Sequence, residues 1–273
     1  MEVDGLSRRL VPDGLWELVA PLLPPFAVRP QGGGRAPLDE RSVFTAVVYV
    51  LTSGCAWRDL PPSFGVSAPT AHRRFGVWTK AGVWARLHRA VLDRLGSRGE
   101  VDWTSVIVDA ASVRAKKGGD LTGRNPVDRG KKGSKLHVLA DGGGLPLVVG
   151  VTGANTHDSR MLKPLVREIP AVKSPRGPRR RRPGRLRADK AYHSADTLAW
   201  LRARGIVPRI ARPGVESSER LGRHRWKIER CIAWLFGYRR LTIRYERKGS
   251  HFTAFLQLAA ALTCYKKLAR WTI

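Results

Sequence analysis

Residues 104–109 read TSVIVD, and residues 134–152 read SKLHVLADGGGLPLVVGVT. The first is a β-branched run closed by an acid. The second holds two apolar runs, 134–140 and 145–152, around the turn Asp141-Gly142-Gly143-Gly144, which is the pattern of a β-hairpin. Alternation follows. Asp158 is placed to cap a helix over 159–168, a short strand over 186–188 meets Asp189, and a helix over 194–204 precedes a strand over 206–210. Two further helices are predicted over 219–238 and 251–270. The order β-β-β-α-β-α-β-α-α predicts a mixed α/β sheet covered by helices.

Upstream of this stretch the chain reads as helices. Residues 14–23 carry Leu15, Leu18, Val19, Leu22 and Leu23 on one face, and Pro24-Pro25 ends the run. A Gly/Pro-rich linker follows. A second helix starts at Asp39, with Val43, Val47, Val50 and Leu51 at helical spacing and Ser53-Gly54 as the stop. A shorter helix, from 67 or 69 to 80, bears His72, Arg73 and Arg74, and another spans 83–95. Helix, turn, short basic helix is the outline of a helix-turn-helix DNA reader, and equally of a plain helical bundle. The expected division is a helical region over 1–100 and a sheet-bearing region over 101–273, with a basic, Pro-rich loop at 173–187.

Composition bounds the partner. The 273 residues hold 50 Lys+Arg against 22 Asp+Glu, a formal net charge of +28, with 42% apolar residues. That is enough apolar content for a packed core, and a charge that calls for a polyanion, either nucleic acid or an anionic membrane surface. Cys55, Cys231 and Cys264 are scattered among apolar neighbours, so neither a disulfide framework nor a zinc site is supported. No apolar h-region follows Met1, and the longest apolar stretch, 44–51, is far short of the ~20 residues that span a bilayer. The expectation is a soluble, cytoplasmic protein.

Acids are scarce in this chain, so their positions carry information. Asp109 and Asp189 each close a predicted strand, where sites in open α/β sheets gather. Glu229 is the one acid in WKIERCIAWLFGY, a helix apolar enough to be read as largely buried, so its carboxylate calls for a partner or a metal. Each has a plainer reading: strand-end capping for the aspartates, an i,i+4 pair with Arg225 for the glutamate. Together they form an oxygen-only set suited to Mg²⁺ or Mn²⁺. Two such ions would serve phosphodiester chemistry.

Several stretches resemble one family in order. They are residues 34–87, VIVDAASVRA around Asp109, DRGKKGSKLHVLAD, GVTGANTHDS, RPGRLRADKAYHS around Asp189, and RHRWKIERCIAWLFGYRRLTIRYER around Glu229. The chain is similar to bacterial insertion-sequence DDE transposases, nearest to the insertion-sequence-five group. The resemblance implies a ribonuclease-H-like core, catalytic and metal-binding roles for Asp109, Asp189 and Glu229, and Mg²⁺ as cofactor, as two ions with Mn²⁺ as a substitute. It also implies nicking of double-stranded DNA at terminal inverted repeats, attack of the freed 3′-OH on target DNA, and a dimer or higher assembly on DNA. The related signature Tyr-x2-Arg-x3-Glu-x6-Lys is met at Arg225 and Glu229, but Gly222 and Phe236 occupy its Tyr and Lys positions. Two alternatives stay open: a nuclease of the same fold that never joins ends, and a non-catalytic DNA-binding protein.

Phosphate contacts are expected from Arg73 and Arg74, from Lys131, Lys132 and Lys135, from the run Arg179, Arg180, Arg181 and Arg182, and from Lys190 and Arg225. The arginine run is expected beside the aspartates. Asp102, Asp120, Asp128, Asp141, Asp196, Glu216 and Glu219 are read as solvated. Trp78, Trp84, Trp226 and Trp234, at helical spacing, are read first as core.

Overall fold

The computed structural model describes residues 2–25, 38–212 and 218–269, with side chains from Gly5 onward and, in the last segment, from Arg225. Five helices come first: α1 (Glu2–Leu10), α2 (Asp13–Val19), α3 (Glu40–Ser53), α4 (Ala68–Lys80) and α5 (Val83–Ser97). Asp39 caps α3, accepting from the amides of Arg41 and Ser42, and Gly54 ends it in the left-handed conformation at φ 75°. Both ends follow from the residue types there. α1 was not expected, although Val3, Leu6 and Leu10 stand at helical spacing. The basic helix α4 is separated from α3 by residues 54–67, not by the three- or four-residue turn of a helix-turn-helix.

The sheet comprises β1 (Val106–Arg114), β2 (Gly123–Arg124), β3 (Lys132–Asp141), β4 (Pro146–Gly153), β5 (Arg185–Ala188) and β6 (Val207–Ile210). The long strands lie in the order β4-β3-β1-β5-β6, and β2 pairs with the first residues of β3. β1 runs antiparallel to β3, and β3 to β4, while β1, β5 and β6 are mutually parallel. Helices α6 (Ser159–Arg167), α7 (Ala195–Arg202), α8 (Ser218–Phe236) and α9 (Gly249–Ala269) complete the chain. This is a ribonuclease-H-like arrangement, an antiparallel three-strand meander extended by two parallel strands. One boundary differs from expectation: β1 continues to Arg114, so Asp109 sits within the strand and not at its end.

One apolar core joins the helices to the sheet. α9 is buried along nearly its whole length, and its alanines at 254 and 259–261 let α5 pack close. Phe75 of α4 stacks on Phe255 of α9 at 4.4 Å between ring centroids. Trp78 and Trp84 lie in this core, as read from the sequence. The turn between β3 and β4 is held by Asp141, which is fully buried. It accepts from the amides of Asp102, Gly143 and Leu145 at 2.8–2.9 Å, so the solvated reading of this acid is overturned. An Asp beside three glycines is a turn signal, but only packing could show that residues 101–103 close over it.

Two polar groups tie the layers together. His88 of α5 donates from Nε2 to the carbonyl of Pro146 at 2.8 Å, beside Cys264 of α9. Burial drives its pKa down to about 4, so the ring is neutral in the folded protein. Arg240 and Glu246 form a buried pair at 2.7 Å, and Arg240 also donates to the carbonyl of Cys55. Two of the Arg240 guanidinium nitrogens are thus committed within the fold.

The His88 environment sets an acid limit on stability. The unfolded chain takes up a proton near pH 6.5, whereas the folded ring refuses it until about pH 4. The contribution is complete above pH 6.5 and shrinks as pH falls toward 4, by roughly 3 kcal/mol. His88→Gln, which keeps a donor for Pro146, should blunt this loss; urea unfolding at neutral pH and near pH 4.5 measures it.

Candidate functional site

The two aspartates are brought level by strand register. β1 and β5 pair in parallel at Val106↔Leu186 and Ile107↔Arg187, an offset of 80 residues. Carried two residues further, the same offset sets Asp109 beside Asp189, whose backbone is still extended at φ −74° and ψ 177°. Because side chains alternate along a strand, both carboxylates leave the same face of the sheet. Asp109 Oδ1 accepts from the Ala110 amide at 2.8 Å, and Asp189 Oδ1 accepts from the Ala191 amide at 2.9 Å. Each side chain is thus fixed by its own backbone, leaving one carboxylate oxygen of each without a hydrogen bond from that source.

Burial raises the Asp109 carboxyl above the usual carboxylate range. The Ala110 amide and Arg225 oppose that rise, and the charges of Asp189 and Asp158 reinforce it. Tyr192, buried in the short 3-10 turn after Asp189, feels Asp158, Asp109 and Asp189 together, and burial and those charges push its hydroxyl well above its ordinary value. The sheet end is therefore a concentrated negative site in an otherwise cationic chain. Such a pair suits a hard divalent cation through oxygen donors.

Glu229 lies on α8. That helix is docked on the β3–β4 turn by Lys227, which donates to the carbonyl of Gly142 at 2.6 Å, and by Arg230, which donates to that of Gly143 at 2.8 Å. Gly144, at φ 90°, lies so near the Lys227 carbonyl that a Cβ would meet it at 2.9 Å. The buried reading of Glu229 is overturned: its side chain is 58% exposed and pairs with Arg225 at 3.0 Å. Its partner Arg225 is also the cation felt by Asp109. Trp226 and Trp234 are likewise surface residues, Trp226 being 47% exposed, with the Arg230 guanidinium 4.5 and 4.7 Å from their rings. An apolar count cannot tell a core tryptophan from one stacked on an arginine. Among the described residues no three acids, histidines or cysteines stand close enough to hold a metal ion unaided.

The expected phosphate contacts divide into three groups. Arg73, Lys131, Lys132, Lys190 and Arg225 are exposed. Arg74 pairs with Glu40 and lies over Trp78, and so joins α4 to α3. Lys135 is turned into the fold, 2.8 Å from Asp158 and 2.9 Å from the Thr156 carbonyl. Asp158 makes that pair and no side-chain cap to α6. The run 179–182 lies at the opposite end of β5 from Asp189, not beside it. Arg179 is held by Asp93 and the Ala171 carbonyl, Arg180 pairs with Val172, and Arg181 donates to the Arg167 carbonyl. Proximity in sequence misled because a strand of four residues carries the chain about 13 Å between them. Asp128 pairs with Arg114 and Asp196 with Lys163, whereas Glu216 and the side chain of Glu219 lie outside the described residues.

Comparison with known proteins agrees with this architecture. Residues 102–264 match the family described as a transposase DDE domain, and residues 11–88 match a putative transposase family of the IS4/5 type. A putative transposase for insertion sequence element IS402 of Burkholderia cepacia is 44% identical over 149 residues, covering 55% of this chain and 71% of that protein. A 16.2 kDa uncharacterized protein of the same insertion element is 38% identical over 123 residues, covering 44% of this chain and 84% of its own length. A Mos1 transposase paired-end complex with the left transposon end aligns over 89% of this chain and 83% of its own at 12% identity. Its TM-score of 0.26 is too low to bear on the fold. The chain belongs to the DDE transposases. Its N-terminal region is similar to putative transposases of the IS4/5 type, and the chain is similar to the putative transposase of IS402.

The Lys135–Asp158 pair is a fold contact, in contrast to its neighbours on the same strand. Lys135→Ala should lower unfolding stability by about 1–3 kcal/mol through the unpaired carboxylate. Lys131→Ala and Lys132→Ala should leave it unchanged in the same urea titrations.

Proposed function

We propose that Asp109, Asp189 and Glu229 are the catalytic carboxylates of this transposase and that they hold divalent metal beside the middle of β1, where β5 ends. The observation that carries the reading is the level placement of Asp109 and Asp189 on adjacent parallel strands, with Arg225 of the Glu229 helix felt at Asp109. A pair of Mg²⁺ ions, with Mn²⁺ as substitute, would activate a water or a 3′-OH and steady the leaving oxygen of a phosphodiester. The chain's own residues do the positioning. The Ala110 and Ala191 amides hold the aspartates in one rotamer, so little reorganisation is needed when a ligand arrives. Arg225 holds the Glu229 carboxylate in an i,i+4 pair, and Glu229 would complete the oxygen donors for the metal.

The substrate is double-stranded DNA: the element's terminal inverted repeats, then target DNA to which the freed 3′-OH is joined. Exposed Arg73, Lys131, Lys132, Lys190 and Arg225 take backbone phosphates, which fix register without reading sequence. The arginine run 179–182 is remote from the acids and serves, if DNA reaches it, as an outlying backbone contact. Holding two ends at once calls for a dimer or larger assembly on DNA.

Asp109→Asn, Asp189→Asn and Glu229→Gln should each abolish cleavage of end-bearing duplex in Mg²⁺ or Mn²⁺ while leaving gel-shift affinity nearly unchanged. Full strand transfer by any one variant removes that residue from the site. Cleavage without covalent joining to target would assign a nuclease instead, and binding without either would assign a DNA-binding protein. Affinity should fall on the order of 10³-fold between 50 and 200 mM salt for about six phosphate contacts, and a flat response would place the DNA elsewhere.

A further inference from the structure

The segment that follows β1 builds a surface feature that the catalytic acids do not require. Between residues 114 and 132 the chain carries Arg114, Lys116, Lys117, Arg124, Arg129, Lys131 and Lys132 against only Asp120 and Asp128. β2 and the start of β3 form a hairpin whose tip is Pro126-Val127, and Val127 is 84% exposed. An isolated valine is unremarkable on a surface. This one stands at the end of a braced ribbon, with the exposed cations Arg124 and Lys132 on its two strands and Arg129 and Lys131 in the connection between them.

The brace is elaborate. Asn125 is buried, and its Oδ1 accepts from the Val127 amide while its carbonyl accepts from the amides of Asp128 and Gly130. Arg114 grips Asp128 with two bonds of 3.0 Å, which fixes the tip and removes its one negative charge from play. At the root, Arg244 is fully buried and donates to the carbonyls of Asp120, Leu121, Glu246 and Arg247 and to Ser134 Oγ. A buried guanidinium is costly unless every donor is met, and here it is used to hold an exposed loop in one shape. A loop needed only to connect β1 to β3 would not need that.

We propose that the 124–131 hairpin is a DNA-docking element that seats Pro126-Val127 against the bases in a groove of the duplex, with Arg124, Arg129, Lys131 and Lys132 on the phosphates at either side. The proposal rests on the DNA-cleaving reading of the Asp109 site and adds a contact outside it. A two-stranded ribbon fits the major groove, and small apolar tips enter a groove where they displace stacked bases. Arg114 is five residues beyond Asp109 on β1, so the hairpin lies about 17 Å along the strand from the acids. That is about five base pairs along the DNA. The hairpin projects from the carboxyl end of β1, the end at which Asp189 follows β5. A duplex crossing the acids can therefore meet it within the same turn.

The test uses the full chain and a duplex carrying the inverted repeat that flanks the reading frame. Val127→Asn and Val127→Asp should each weaken binding, the neutral change by roughly tenfold. Val207→Asp, on a valine 46% exposed at the start of β6, serves as the matched control and should change nothing. Thermal unfolding should be unaltered in all three, because Val127 supports no packing. A photo-reactive phenylalanine at position 127 should cross-link to the DNA strand. Wild-type affinity in Val127→Asn, or cross-linking to a second protein chain, overturns the docking element while leaving the cleavage reading intact. If the wild-type protein neither binds nor cuts that duplex, the cleavage reading falls with it.

Discussion

Everything at the candidate site depends on the parallel pairing of β1 with β5. The pairing fixes a constant offset between two strands that are separated in sequence by a hairpin, a helix and a long basic loop. A slip of one residue would send Asp189 to the opposite face of the sheet from Asp109. The pairing is secured from both sides, since β3 holds β1 along its whole length and β6 holds all four residues of β5. The negative site is thus a product of sheet register, and burial together with the mutual repulsion of the acids placed there raises the Asp109 carboxyl, against which the Ala110 amide and Arg225 work.

A second constraint runs through arginines used as structural parts. Arg244 is buried with all three guanidinium nitrogens bonded, Arg240 is buried and bonded to Glu246 and Cys55, Arg74 joins two helices, and Arg230 lies between two surface tryptophans. In a chain this basic, charge is available for both framework and ligand, and the two uses look alike in composition. What separates them is the surrounding set of acceptors. A guanidinium that meets carbonyls and carboxylates inside the protein is committed, while Lys131, Lys132 and Lys190 remain directed at solvent.

Much of the fold was legible. The hairpin at 141–145, the cap at Asp39, the glycine stop at Gly54 and the order of strands and helices are local, written in turn residues and apolar period, and the structure follows them. The three acids proposed for the site stood out in the sequence because acids are scarce in it. Misreadings arose where a residue's role depends on a distant partner. Asp141 is buried by residues 101–103, Lys135 is claimed by Asp158, and the arginine run is carried away from Asp189 by the direction of β5.

The sequence by itself determined the element order, the cationic character and the short list of candidate acids, since these depend on residue type and spacing of a few positions. The tertiary structure alone decided that Asp109 lies within its strand and level with Asp189, and that Glu229 lies exposed on a helix pinned to the β3–β4 turn. It alone decided which cations remain free to meet DNA. The physical reason is that hydrogen-bond register and the meeting of buried charges join residues far apart in the chain, and no local pattern encodes the distance between them.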